Sequence, residues 1–253
     1  MITTTAAPAA DTMSEATFHY RLAVACVLVA FLGFAPTYFV PLARGTLKVS
    51  PIVHMHGALF FAWTLLLAYQ ARLVATGRLV RHRALGLIGI SLVTAMVILG
   101  VMTAVLALRR ATGTEFEEAA RTFMIVPVTG MIFFATCFAL AIVWRRNRDA
   151  HKRLMLLSTV GILEAAVARW FMTFLAPPGA VGPPTVEMTV APALIAASLI
   201  VAAMVFDWRT RGRPHAVWMA GGIALLALKV LQMGLATTPG WHAAAHWLAS
   251  LGG

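Results

Sequence analysis

Long apolar stretches separated by short polar segments dominate the pattern of this chain. Seven of them reach about 20 residues, the length at which a helix crosses the roughly 30 Å hydrocarbon core of a bilayer. They cover residues 19–42, 51–75, 85–108, 121–144, 152–176, 187–207 and 216–236, numbered as spans 1 to 7. Backbone polar groups in lipid must be satisfied within each segment. The pattern therefore predicts an all-α polytopic transmembrane bundle of seven helices.

The amino-acid composition of the chain is typical of a membrane protein. The 253 residues are 60% hydrophobic and 11% charged, and the mean hydropathy is +0.85. Soluble domains average about 45–50% apolar and about 25% charged residues. We expect a disordered leader at residues 1–17, rich in Ala and Thr, a membrane domain at residues 18–240, and an amphipathic segment at residues 241–253. The last of these is expected to lie as a short helix in the interface.

The net charge of +11 invites a nucleic-acid function, but the positions of the basic residues exclude it. Eleven of the twenty lie in loops that follow even-numbered spans: Arg78, Arg81, Arg83, Arg145, Arg146, Arg148, Lys152, Arg153, Arg209, Arg211 and Arg213. The positive-inside rule then predicts that the N-terminus lies in the cytoplasm and the C-terminus outside. We expect the location to be a bacterial cytoplasmic membrane.

Each of the three basic loops is followed by a histidine that opens the next span. The 69-residue offset between His82 and His151 indicates that spans 2–3 and 4–5 are related hairpins, and His215 opens a third. The chain then reads as one leading helix and three hairpins, although shared topology alone produces part of this likeness. The histidines form either a polar ring at the helix starts or, with their neighbours, an anionic-lipid site. The predicted lipid-binding residues are Arg81, His82, Arg83, Arg146, His151, Lys152 and Arg153.

Two histidines stand at the start of span 2, in the stretch "SPIVHMHGALFF". Ser50 and Pro51 form a helix start, so both histidines lie at the outer face. Residues two apart point about 200° away from each other, so His54 and His56 serve different faces. The small residues beside His54 predict that it points into the bundle, whereas His56 faces a second neighbour or the interface.

A haem or metal site is the alternative use of these histidines. A bis-histidine haem site needs imidazoles from two helices at one depth, and span 4 offers none at the positions related to His54 and His56. His242 and His246 in the C-terminal segment have the i, i+4 spacing of a metal-binding pair, with His54 or His56 as a third ligand. The neighbouring Trp241 and Trp247 favour an interfacial helix instead.

Ionisable residues within apolar spans are expensive and are functional candidates by default. Glu164 lies thirteen residues beyond His151 and Lys229 fourteen beyond His215. At 1.5 Å per residue, the two lie at the same depth, which permits an ion pair. The pair is either a structural contact or part of an outward-open polar pocket with Arg169, Gln232, His54 and His56.

Several motifs resemble a family of bacterial integral membrane proteins without an assigned activity: "FAPTYFVPL", "HMHGALFFAWTLLLAYQ", "RHRALG", "HKRLMLL" and "ARW". The likeness covers most of residues 31–175 and reaches Trp241. A fainter likeness connects the chain with cytochrome b561-like predicted membrane proteins. The resemblance implies the topology and singles out His54, His56, Gln70, His82, Arg83, His151, Arg153 and Arg169. It implies no reaction.

Two classes of function stay open. The first is binding or transport of a small molecule or ion, of unknown identity, through the outward-facing pocket. The second is a membrane redox protein with a haem or metal held by histidines. The sequence contains no nucleotide-binding loop, nucleophile–base pair or carboxylate pair, so no catalytic residue is assigned.

Overall fold

The computed structural model of the chain describes residues 10–177 and 179–251, with side chains from residue 15 onward, and every regular element in this part is helical. Seven helical segments are long and apolar enough to cross a membrane, which confirms the predicted number. They are span 1 (Glu15–Ala43), span 2 (Pro51–Ala75), span 3 (Leu79–Ala111), span 4 (Glu117–Val143), span 5 (Arg148–Phe174), span 6 (Glu187–Arg211) and span 7 (Ala216–Leu235).

Several spans are built from more than one helix. In chain order the elements are α1 (Ala10–Phe34), a π-helical turn (Ala35–Phe39), α2 (Val40–Ala43), α3 (Pro51–Ala75), α4 (Leu79–Ala111), α5 (Glu117–Phe123), α6 (Ile125–Val143), α7 (Arg148–Ile162), α8 (Glu164–Phe174), a 3-10 turn (Glu187–Thr189), α9 (Val190–Arg211), α10 (Ala216–Leu235) and α11 (Pro239–Ser250). Large apolar side chains such as Leu28, Leu65 and Val201 are exposed on the outside of the bundle. Exposed apolar surface of this extent is typical of a surface that contacts a membrane or another protein.

The spans alternate in direction, so the bundle has two distinct ends. The basic end carries the loops at residues 76–78, 144–147 and 212–215. The distal end carries the loops at residues 44–50, 112–116 and 175–186. Glu15 from the start of span 1 contacts Arg153 from the start of span 5, and Arg153 contacts Asp207 near the end of span 6. These contacts place the start of span 1 at the basic end.

Helix α1 begins at Ala10, within the predicted leader, and residues 1–9 lie outside the described part. Glu15 forms ion pairs with Lys152, Arg153 and Arg211, and these contacts hold the first turns of α1 against spans 5 and 6. The predicted C-terminal helix is present as α11. The Arg109 side chain donates to the carbonyl of Ala249, 2.7 Å away, and ties α11 to the distal end of span 3.

Span 5 lies in the centre and contacts spans 1, 4, 6 and 7. Two glycines permit these contacts to be close. A Cβ atom on Gly33 would lie 2.5 Å from the backbone oxygen of Ala166, and one on Gly221 would overlap with the side chain of Leu157. Small residues allow helices to approach in this way in membranes. Span 5 is therefore held closely between spans 1 and 7, which positions its charged residues.

Candidate functional site

The centre of the candidate site is an ion pair in the distal half of the bundle. Glu164 Oε2 lies 2.5 Å from Lys229 Nζ, as the equal depth of the two residues predicted. Lys229 is buried and also donates to the Thr189 hydroxyl, 3.2 Å away. Each charge in the pair compensates the other in a region where an unpaired charge is costly.

Glu164 follows a one-residue irregularity in span 5. Helix α7 ends at Ile162 and α8 begins at Glu164, while Leu163 between them keeps right-handed helical torsion angles, φ −71° and ψ −16°. The chain therefore continues as a helix through this point. Glu164 occupies the first turn of α8 and faces α10, which carries Lys229.

A cavity of about 40 Å³ lies beside this pair, between spans 4, 5, 6 and 7. Glycines from three of these spans line it, Gly130, Gly161 and Gly222, together with Glu164, Lys229 and Gln232. Its lining on span 7 extends from Gly222 to Gln232, ten residues or about 15 Å along a helix. The cavity is therefore narrow and elongated.

Gln232 gives the cavity an unsatisfied polar atom. Its Nε2 donates to the Thr129 hydroxyl at 2.7 Å, but its buried Oε1 has no hydrogen-bond partner among the described residues. A buried acceptor of this kind normally bonds to water when no protein donor is available. The cavity has room for that water, since a bound water needs about 10–15 Å³ of such space.

Three of the six residues predicted to form one outward pocket line this cavity. Glu164, Lys229 and Gln232 line the cavity, whereas His54, His56 and Arg169 do not. His54 is half-buried and its Nδ1 lies 2.7 Å from the Tyr38 hydroxyl. Glu164 and Arg169 are five residues apart, about 140° of rotation around a helix, so they face different neighbours.

The remaining predicted pocket residues form a second group at the distal end. His56 Nδ1 lies 3.4 Å from the Thr103 hydroxyl, and its ring lies 4.2 Å from that of Phe60. The guanidinium carbon of Arg169 lies 5.3 Å from the centre of the Phe34 ring, a cation–π contact. The His56 ring also contacts the backbone of Leu99 in span 3.

A buried ionic network at the basic end was missed by the sequence analysis. Arg153, with no exposed surface, donates to both oxygens of Asp207 at 2.6 and 3.0 Å. Glu15 and Asp149 also contact Arg153, at 3.1 and 3.2 Å. The signal for it was Asp207, an acidic residue at the end of the apolar stretch of span 6.

His215 caps the start of α10 beside this network. Its Nδ1 accepts from the backbone N–H of Val217, 3.2 Å away, and Asp207 accepts from the backbone N–H of His215 itself. Burial, with the positive charge of Arg153, lowers the pKa of His215 below its usual range. The ring is therefore neutral at pH 7 and remains an acceptor for the cap.

This network includes two residues that were predicted to bind lipid, Arg153 and Lys152. Arg153 is buried, so it is not available to lipid headgroups, and the prediction is wrong for this residue. Lys152 is half-buried and pairs with Glu15 and Asp149 at 2.6 and 2.8 Å. The predicted residues that the structure leaves exposed are Arg81, Arg83 and Arg146.

His82 and His151 face each other at the basic end rather than the headgroups. Their ring centres are 6.3 Å apart and the rings are nearly perpendicular. His151 Nδ1 bonds to the carbonyl of Ala141 at 2.8 Å, and the ring of His82 contacts the backbone of Gln70. Among the described residues, His82 Nδ1 and Gln70 Oε1 are buried without a hydrogen-bond partner.

The structure does not support a metal site at His242 and His246. His242 Nε2 bonds to the carbonyl of Ala236 at 3.1 Å, and His242 Nδ1 lies 3.5 Å from Glu118. Within residues 10–177 and 179–251, no group of three or more His, Cys, Asp or Glu side chains is placed to hold a metal ion. The third ligand that the prediction required, His54 or His56, is therefore not brought to the pair.

Comparisons of the chain with models of protein families, with curated proteins and with solved structures find no match.

Proposed function

We propose that this chain is an integral membrane protein that binds and transports a small ion at the cavity beside Glu164 and Lys229. The observation that supports this proposal is an ion pair and an unsatisfied glutamine oxygen on one narrow cavity inside a bundle of membrane-spanning length. Pockets for drug-sized molecules are about 300–1,000 Å³, whereas this one is about 40 Å³. Its size favours a proton or a small ion over an organic solute.

A proton is the ion that this pair of groups exchanges most directly. Protonation of the Glu164 carboxylate removes its attraction for Lys229, which keeps its hydrogen bond to Thr189. Deprotonation restores the pair. Waters that bond to Gln232 Oε1 extend the path from the pair toward the distal end. The two states of the pair thus provide one proton-binding step within the bundle.

Proton flux into liposomes tests this function. With a potassium diffusion potential and a pH-sensitive dye inside, the protein is expected to acidify or alkalinise the lumen above the rate of empty liposomes. Glu164→Gln is expected to lower the flux at least about tenfold, because an amide does not exchange a proton at neutral pH. The double variant Glu164→Gln with Lys229→Met is expected to be equally inactive.

Glu187→Gln is the matched control, since Glu187 is an exposed glutamate at the distal start of span 6. It is expected to keep the flux of the unmodified protein. Equal flux in the Glu164→Gln protein and in the control, or no flux above empty liposomes for the unmodified protein, would contradict the proposal. If an unpaired Lys229 prevents the Glu164→Gln protein from folding, the flux of the double variant is measured instead.

We further propose a bacterial cytoplasmic membrane as the location, with the basic end in the cytoplasm. The loop charges support this orientation, and the exposed Arg81, Arg83 and Arg146 are then placed to contact anionic lipid. Reporter fusions after Arg146 and at Gly253 are expected to report opposite compartments. A cytoplasmic signal from both positions would overturn this topology.

His82 and His151 favour a redox protein as a second candidate function. They come from two different spans, one nitrogen of each ring is engaged by backbone, and His82 Nδ1 has no partner among the described residues. A backbone partner on the second ring nitrogen is typical of histidines that bind metal. A haem held by this pair is expected to give a reduced-minus-oxidised spectrum that His82→Ala abolishes. A featureless spectrum of the purified protein would rule out this haem.

A further inference from the structure

Arg169, a cation in the distal half of span 5, has no ion-pair partner among the described residues. Its guanidinium lies over the ring of Phe34. The ion pairs among the described side chains involve other cations, so none of these carboxylates compensates Arg169. This contrasts with Lys229, which is paired with Glu164 on the same span. An uncompensated arginine within a span is costly and points to an anionic partner that the protein itself does not provide.

Neutral polar and aromatic side chains lie at the same end of the bundle as Arg169. His56, from span 2, lies 3.4 Å from the hydroxyl of Thr103, from span 3. The π-helical turn of span 1 packs against α8 and carries Tyr38, which is bonded to His54. Spans 1, 2, 3 and 5 thus bring neutral polar groups and one cation to the same end of the bundle.

We propose that Arg169 binds an oxyanion, a carboxylate or a phosphate group, at the distal end. A guanidinium presents paired N–H donors that match the two oxygens of such a group. The Phe34 ring positions the guanidinium from one side. The site shares no residue with the cavity beside Glu164 and Lys229, so it stands independently of the proposed ion transport.

Two kinds of ligand carry an oxyanion that can reach Arg169. One is the phosphate of a phospholipid headgroup in the distal leaflet, since Arg169 lies only five residues before the end of span 5. The other is a free anion that enters from the distal side. Both require the same guanidinium, and the experiment below separates them.

The experiment uses the full chain purified in dodecyl maltoside and a delipidated portion of the same protein. Native mass spectrometry measures retained phospholipid in the first. Titration with inorganic phosphate and with acetate, followed by the shift in unfolding temperature, measures free-anion binding in the second. Arg169→Gln is expected to remove retained phospholipid or to weaken anion binding about tenfold or more. Loss of lipid assigns the headgroup, and loss of the anion-induced shift assigns the free anion.

Arg44→Gln is the matched control, because it removes the same charge from an exposed loop at the same end. It is expected to leave both measurements unchanged. Arg169→Lys keeps the charge but not the paired donors, so this variant is expected to bind the anion more weakly than the unmodified protein. It replaces Arg169→Gln in both measurements if Arg169→Gln does not fold. Equal lipid retention and equal anion-induced shifts in the unmodified protein and in whichever Arg169 variant folds would overturn the proposal.

Discussion

Replacement of Arg153 by Met is expected to lower the free energy of unfolding by about 3–5 kcal/mol. Asp207, almost fully buried, then keeps the backbone N–H of His215 as a partner but loses both bonds to the guanidinium. An uncompensated buried carboxylate is the main cost, because it either remains charged in a low-dielectric site or must take up a proton. Thermal unfolding of the detergent-solubilised protein, followed by intrinsic tryptophan fluorescence, measures the loss.

Two further variants separate the ion pair from general effects. Arg209→Met removes an exposed arginine from the same end of span 6 as Asp207 and is expected to change stability by less than about 0.5 kcal/mol. The double variant Arg153→Met with Asp207→Leu removes both charges and is expected to recover most of the lost stability. An Arg153→Met protein as stable as the Arg209→Met protein would show that the network contributes little.

The membrane-spanning segments were predictable because hydropathy is a local property of sequence. Each of the seven apolar stretches appears as a span whose ends lie within a few residues of the predicted ones. The Glu164–Lys229 pair was predictable for a similar reason, since helical rise converts sequence position into depth. Depth alone permits a contact between two spans, and their packing decides whether it forms.

The orientation of side chains around each span was harder to predict. Arg153 was grouped with exposed loop arginines because of its basic neighbours, although it points into the bundle toward Asp207. That direction depends on how spans 5 and 6 pack, which the basic loop does not reveal. Asp207 satisfies the same rule that singled out Glu164, because it is an acid within an apolar stretch. Applying that rule to span 6 would have identified Asp207 as a candidate.

Helical rotation separates Arg169 from Glu164 within the predicted set of six pocket residues. Residues five apart on α8 cannot face one neighbour, so the Arg169 group and the Glu164 group became separate. The Glu164 group and the Arg169 group, both in the distal half of the bundle, therefore differ in net charge. One contains the Glu164–Lys229 ion pair, whereas the other contains Arg169, which pairs with none of the described carboxylates.

Replacement of Lys229 by Met is expected to destabilise the protein by about 3–5 kcal/mol at neutral pH. Glu164 then keeps only its contact with Thr189 in a cavity lined largely by glycine and apolar side chains. The deficit is expected to become smaller as the pH falls, because a protonated Glu164 carries no charge that needs Lys229. The measurement is the unfolding temperature of the detergent-solubilised variant across a pH series.

The double variant Glu164→Gln with Lys229→Met removes the charges at both positions. It is expected to recover much of the stability lost in Lys229→Met and to lose that variant's additional pH dependence. Lys48→Met is the matched control, since Lys48 is an exposed lysine in the distal loop between spans 1 and 2, and it is expected to unfold like the unmodified protein. If Lys229→Met and the double variant are equally unstable at every pH, the cost comes from lost packing around the lysine stem, and Glu164 is not the group that Lys229 compensates.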